Sequence, residues 1–179
     1  MRDVKNPENI YLIGLMGAGK TTVGRQLAWR LGRPFFDSDH EIEVRTGVGI
    51  PTIFEIEGEA GFRKREAQVI GELVSEPQPM VLATGGGVVL LPENRKNLKD
   101  HGWVVYLNVP PFQLYQRTRQ DRTRPLLQVA DPLKRLQELY AIRDPLYRET
   151  ADFILDGTRF GPAGTIQHLL KEYQKQCKP

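Results

Sequence analysis

Nine consecutive residues, Gly14-Leu15-Met16-Gly17-Ala18-Gly19-Lys20-Thr21-Thr22, have the spacing G-x-x-x-x-G-K-T. Their chemistry follows from the backbone: Gly14, Gly17 and Gly19 let the chain curl its amide hydrogens inward around a polyphosphate. Lys20 adds a point charge for the β and γ phosphates, and the Thr21 hydroxyl is a ligand for Mg²⁺. The apolar run Ile10-Tyr11-Leu12-Ile13 precedes the glycines, and Val23, Leu27 and Leu31 follow at helical spacing. The order is therefore strand, turn, helix, and the positive end of that helix points at the anion. A glycine-rich turn alone would say little. With Lys-Thr attached and both flanks in place, Gly17, Ala18, Gly19, Lys20, Thr21 and Thr22 are expected to bind a nucleoside triphosphate.

Four further groups carry chemistry. Asp37-Ser38-Asp39 follows Phe35-Phe36, which reads as a short buried strand, and ligands of open α/β sheets collect at such carboxyl ends. Asp37 or Ser38 can cap the helix of His40 to Arg45, and one aspartate is expected to do more. Arg63 and Glu66 are spaced i, i+3 and can touch. As a surface pair they contribute about half a kcal/mol or less; turned inward, Glu66 would hold the Arg63 guanidinium still for a ligand. Gly85-Gly86-Gly87 ends the strand Met80 to Thr84, where main chain without side chains can lie against a bound ring. The stretch Arg117 to Arg124 holds four arginines among polar residues. A solvated charge run is the ordinary reading, but beside a phosphate loop such a segment can close over a γ-phosphate. Arg124, set against Pro125-Leu126-Leu127, is the arginine chosen for that task.

The elements that must position these groups alternate along the chain. Thr52-Ile53-Phe54-Glu55 has the form of a capping box, Gly58 interrupts, and a helix runs from about Glu59 to Val74. Pro92 opens a polar helix to Asp100, Trp103 to Val109 is a strand, and a helix spans about Phe112 to Thr118. Asp131-Pro132 opens a helix bearing Leu133, Leu136 and Tyr140, and Arg143 ends it before Pro145-Leu146-Tyr147. Ala151 to Asp156 reads as the last strand, and Ile166, Leu169, Leu170 and Tyr173 define a final amphipathic helix. Such alternation implies a parallel sheet covered on both faces.

At 179 residues, 40% hydrophobic and 26% charged, the chain is read as one globular domain. No run reaches the roughly 20 apolar residues of a membrane span. Met1 to Asn9 carries Asp3 and Glu8 without an apolar stretch, so no secretory leader is expected and a cytoplasmic location is. Cys177, the single cysteine, is placed on a frayed tail and excludes an internal disulfide or a cysteine metal cluster. A net charge of +3 from 25 Lys and Arg against 22 Asp and Glu does not call for nucleic acid; an anionic small molecule accounts for it equally well.

Among proteins with this phosphate loop, a GTPase would carry Asn-Lys-x-Asp, whereas Asn97-Leu98-Lys99-Asp100 misplaces the lysine. A motor ATPase would run an apolar strand into Asp-Glu, whereas Met80 to Ala83 runs into Thr84-Gly85. The chain instead resembles the shikimate kinases at several separated points: the loop 14 to 22, Phe-Asp-Ser-Asp at 36 to 39, Gly58-Glu59 with Phe62-Arg63 and Glu66, Thr-Gly-Gly-Gly at 84 to 87, Arg-Pro-Leu-Leu at 124 to 127, and Arg143 with Pro145-Leu146-Tyr147. Thr21 stands where that family commonly has Ser, Gly49 where it has Ser, and Thr52 where Glu is common.

The resemblance implies an α/β three-layer sandwich with a central five-stranded parallel sheet, of the nucleoside-monophosphate-kinase type. It implies a single domain over 1–179, with substrate-binding helices at about 38–74 and a mobile lid at about 117–130. The implied reaction moves the γ-phosphoryl of ATP to the 3-hydroxyl of shikimate, on the way to chorismate and the aromatic amino acids. Lys20, Asp39 and Arg124 would be catalytic, and Asp39, Arg63, Gly85, Gly86, Gly87 and Arg143 would bind shikimate. Thr21 would ligate Mg²⁺ directly and Asp37 through water, while Arg117, Arg159 and Pro162 would join the ATP site around adenine. A monomer without nucleic-acid or membrane partners is expected. Two rivals remain: a kinase of another small hydroxy acid such as gluconate, and a catalytically silent nucleotide-binding module.

Overall fold

The computed structural model describes residues 8–177; the reading of the first seven residues as lacking a secretory leader lies outside the described residues. The strands β1 (Ile10–Ile13), β2 (Phe35–Asp37), β3 (Val81–Ala83), β4 (Trp103–Asn108) and β5 (Phe153–Asp156) form one parallel sheet in the order β2-β3-β1-β4-β5. Every residue of β1 is fully buried, as are Val81, Leu82, Val104 and Val105. Successive strand residues face opposite sides, so unbroken burial means that both faces of the central strands are covered. The helices α1 (Lys20–Leu31) and α7 (Pro162–Gln176) pack together, with α1 also against β1, β2 and β3. A second group comprises α3 (Ile50–Val74), α4 (Pro92–His101) and α6 (Pro132–Thr150), of which α4 and α6 lie on β4. The short helices α2 (Ser38–Thr46) and α5 (Pro111–Thr118) complete the order. No described helix is long and apolar enough to cross a membrane.

Several expectations need correction. The strand of Phe35 and Phe36 is half-buried, because β2 is an edge strand paired only with β3. The Thr52–Glu55 capping box is not formed: α3 begins three residues earlier, with Gly49 at its N-cap and Pro51 in the first turn. Proline suits that position, and the Glu43 side chain accepts from the Ile50 amide at 3.0 Å. The interruption read at Gly58 is present: Gly58 leaves the helical conformation at φ 70°, and the two helical stretches of α3 meet there in a kink. Finally, α6 does not stop at Arg143 but runs through Pro145 to Thr150. The carbonyl that Pro145 leaves without a donor is that of Ala141, on the exposed side of the helix where water can serve it. Leu136, Leu139, Arg143, Tyr147 and Thr150 meanwhile make a continuous buried stripe. Cys177 is exposed and caps the end of α7.

Candidate active site

The turn between β1 and α1 takes positive φ at Gly14 (146°), Gly17 (82°) and Gly19 (95°), a conformation closed to most side chains. Lys20, the first residue of α1, is buried, and its Nζ donates to the carbonyls of Gly14 at 2.6 Å and Leu15 at 2.9 Å. Burial first, then the Arg124 charge, bring its pKa down to about 8 against the pull of Asp39 and Asp37. Thr21 Oγ1 donates to Asp37 Oδ2 at 2.7 Å, which sets a hydroxyl and a carboxylate side by side at the start of α1. Hard oxygen donors of this kind suit Mg²⁺, which takes few protein ligands and keeps several waters.

Asp37 ends β2 and caps α2, accepting from the amides of Asp39 and His40 at 3.1 and 3.3 Å. Asp39 is half-buried as a residue, yet its Oδ1 is sealed from solvent and has no hydrogen-bond partner. Burial, with the Glu66 and Asp37 carboxylates nearby, pushes its pKa up to about 7; Lys20 and Arg124 oppose the shift.

Across the cleft, Arg63 Nη1 donates to Glu66 Oε1 at 2.8 Å and Nη2 to Glu59 Oε1 at 3.1 Å. Glu66 is fully buried, so this is an inward pair rather than a solvated surface one. Gly87 makes room for it: a Cβ there would stand 2.2 Å from Arg63 Nη1. Gly85 is equally constrained, since a Cβ would meet Asp39 Oδ1 at 2.6 Å and Glu66 Oε2 at 2.7 Å. Its amide donates to Oγ of the buried Ser38 at 2.9 Å, which fastens the glycines to α2. Arg143 on α6 is 2% exposed, and a Cβ on Gly86 would touch its Nη1 at 3.4 Å.

Asp39 Oδ1, Arg63 Nε, Glu66 Oε2, and Arg143 Nε and Nη1 are all buried without a hydrogen-bond partner. An unmade hydrogen bond costs a buried polar group about 1–3 kcal/mol, and more when it is charged. Two arginines with unpaired donors beside an unpaired aspartate fit a ligand bearing both a carboxylate and hydroxyl groups.

Asp39, Arg63, Gly85, Gly86, Gly87 and Arg143 line one cleft of about 550 Å³ that also includes Gly17, Gly19, Lys20, Thr21, Thr22, Asp37, Arg117 and Arg124. Arg117 Nη1 donates to the Gly17 carbonyl at 3.2 Å and the Ala18 carbonyl at 3.5 Å. Arg124 Nε donates to Asp121 Oδ2 at 2.9 Å. Ala18, Arg159 and Pro162, expected at the ATP site, do not line the cleft: the Ala18 side chain is buried, the Arg159 guanidinium lies over the Phe160 ring at 5.3 Å, and Pro162 occupies the first turn of α7. Sequence reasoning missed the apolar wall of Ile50, Phe54, Pro125 and Leu126. Phe54 packs on Phe62 with centroids 4.9 Å apart. The i, i+4 spacing of Ile50 and Phe54 was a usable signal, hidden by placing the helix start at Thr52.

A triphosphate loop at the end of β1, an arginine-bearing segment over it and a buried charged pocket facing it define a P-loop kinase of the nucleoside-monophosphate-kinase type, built for a small anionic acceptor. The shikimate kinase family model matches residues 16–174. A shikimate kinase of Dechloromonas aromatica is 66% identical over 172 residues, 96% of this chain and 93% of that protein. The solved shikimate kinase from Acinetobacter baumannii in complex with shikimate superposes with a TM-score of 0.93 at 50% identity, covering 98% of this chain and 97% of the other. The chain belongs to the shikimate kinase family. A gluconokinase from Sinorhizobium meliloti, at 18% identity and a TM-score of 0.59 over 96% of this chain and 94% of the other, shares the fold alone.

Proposed function

We propose that this chain transfers the γ-phosphoryl of ATP to the 3-hydroxyl of shikimate, giving shikimate 3-phosphate and ADP, and that the cleft described above is where it does so. The observation that carries this reading is the set of unpartnered buried atoms on Asp39, Arg63 and Arg143, which line one cleft with Lys20 and the phosphate loop. Arg63 and Arg143, from different helices, grip the substrate carboxylate with their planar forks. Asp39 accepts from the hydroxyl to be phosphorylated, orienting its oxygen and drawing on its proton. The main chain of Gly85, Gly86 and Gly87 supports the ring.

Gly17, Gly19, Lys20, Thr21 and Thr22, with Arg117 and Arg124, hold the nucleotide. Lys20 and Arg124 stabilise charge that spreads over the phosphoryl oxygens during transfer, and this electrostatic work with positioning is most of what such a reaction needs. Thr21 would hold Mg²⁺ directly and Asp37 would hold it through water; the ion would supply positive charge to the phosphate groups. The chain acts as one domain over 1–179, with α2 and α3 (38–74) carrying the acceptor and the segment 117–130 closing as a lid to exclude water. It works as a cytoplasmic monomer, a state that sedimentation of the purified protein checks.

The test is ADP release with ATP and Mg²⁺ against a panel of hydroxy acids. Turnover requires shikimate on this reading. Turnover with gluconate and none with shikimate would reverse the choice of acceptor, and ATP binding without shikimate-dependent ADP release would favour a silent module.

A further inference from the structure

Tyr147 is fully buried one turn beyond Arg143 on α6. Its hydroxyl donates to the Gly86 carbonyl, and the same oxygen interacts with the Arg143 guanidinium. One atom thus touches two parts of the acceptor pocket that come from different elements, the glycine turn after β3 and the middle of α6. Burial raises the Tyr147 pKa, so the hydroxyl is a protonated donor at any working pH. The ring is itself held: it packs on Tyr106 with centroids 4.8 Å apart. The Tyr106 hydroxyl donates to Asp144 Oδ1 at 2.8 Å and lies 3.2 Å from Asn108 Oδ1, which accepts from the Tyr140 hydroxyl at 3.0 Å. Tyr140 and Asp144 flank Arg143 on α6, so β4 grips the helix on both sides of that arginine. Tyr147 joins the gripped helix to the glycine turn.

We propose that Tyr147 is a positioning residue for the acceptor site, its hydroxyl fixing the distance between the Arg143 guanidinium and the Gly86 main chain so that both meet the substrate at once. The proposal rests on reading Arg143 as a carboxylate ligand. Arg143 Nε and Nη1 carry no partner of their own, so the direction of this guanidinium depends on its remaining contacts. Without the hydroxyl, Gly86 loses its partner and Arg143 its neighbour, while the ring and its stack on Tyr106 stay.

The experiment compares Tyr147→Phe with Tyr106→Phe, Arg143→Ala and the double variant Tyr147→Phe/Arg143→Ala, by steady-state kinetics in both substrates and by thermal melts. Tyr147→Phe keeps the buried ring, and the expected result is a shikimate KM raised about three- to tenfold, the scale of one buried hydrogen bond. The ATP KM should stay within about twofold. Tyr106→Phe loses a buried hydroxyl on the same ring pair but leaves the Tyr140 contact to Asn108 holding α6 on β4, and serves as the structural control: it should melt lower with its shikimate KM within about twofold. On the Arg143→Ala background, Tyr147→Phe should add less than about a twofold change. An equal rise of shikimate KM in the two tyrosine variants, multiplying effects in the double variant, or an unchanged KM in Tyr147→Phe each overturns the proposal. Should Arg143→Ala itself leave shikimate KM unchanged, the carboxylate clamp fails instead. Should Arg143→Ala raise it and Tyr147→Phe not, only the role of Tyr147 fails.

Discussion

Replacing Asp39 by asparagine should stabilise the protein while disabling it. In the folded chain the Asp39 carboxyl titrates near 7, raised from 3.8 chiefly by burial and then by Glu66 and Asp37. Between these two values the folded state binds a proton that the unfolded state has released. Wild-type stability therefore falls as pH rises from about 4 to about 7, at about 1.4 kcal/mol for each unit in the interval. Asparagine has nearly the same shape and never pays this penalty, although it forfeits the attraction of Lys20 and Arg124. By pH 5 roughly one unit of the interval has been crossed and by pH 8 all of it, so the advantage of the variant should grow by about 2–3 kcal/mol between those two pH values. For a chain of this length that corresponds to about 4–12 °C in Tm. Melting curves of both proteins without substrate at pH 5 and pH 8 give the comparison, and turnover at pH 8 should fall by about a hundredfold or more with loss of the accepting oxygen. A variant less stable than wild type at pH 8, or with an offset identical at both pH values, would refute the assignment of a strained, desolvated carboxylate to this position.

Lys20→Ala and Arg124→Ala should each lower kcat by about a hundredfold or more with shikimate KM changed less than about threefold, because their charge meets the transferring group; a rise in shikimate KM with normal kcat would place them elsewhere. Arg63→Ala should chiefly raise shikimate KM, by about tenfold or more, while leaving Glu66 buried without its cation and lowering Tm; an unchanged KM in initial-rate assays counts against the clamp. Gly87→Ala puts a methyl 2.2 Å from Arg63 Nη1 and must move that side chain, so shikimate KM should rise with ATP KM held. An alanine variant with wild-type KM for shikimate would show that the glycine is not required for the approach.

The phosphate loop was legible because it is local: nine adjacent residues, a strand before and a helix after. The same holds for the parallel sheet, since each strand was an apolar run between turn signals. Arg63 with Glu66 could be paired from helical spacing, but whether the pair faced water or the cleft depended on the kink at Gly58 and on the space over Gly87, neither of which a single sequence displays. Arg143 was assigned by resemblance and then given the wrong setting, because Pro145 reads as a helix stop. The burial of Tyr147 and Thr150 beyond it outweighs one lost hydrogen bond on the solvent side. Arg159 and Pro162 stand outside the cleft for a similar reason: a loop's position in the chain does not fix where its side chains turn, and the Arg159 guanidinium lies over its neighbour Phe160. The raised pKa of Asp39 belongs to the same class, since part of it arises from Glu66, 27 residues away along the chain.

The central claim is spatial: one pocket, built by Asp39, Arg63, Gly86 and Arg143, presents shikimate to a phosphoryl group lodged above Lys20. A crystal structure with shikimate and a non-hydrolysable ATP analogue measures it directly. The account predicts the shikimate carboxylate between the guanidinium groups of Arg63 and Arg143, with the 3-hydroxyl on Asp39 and turned toward the γ-phosphate. Shikimate bound outside this pocket, or in it with the carboxylate toward Lys20, would contradict the account.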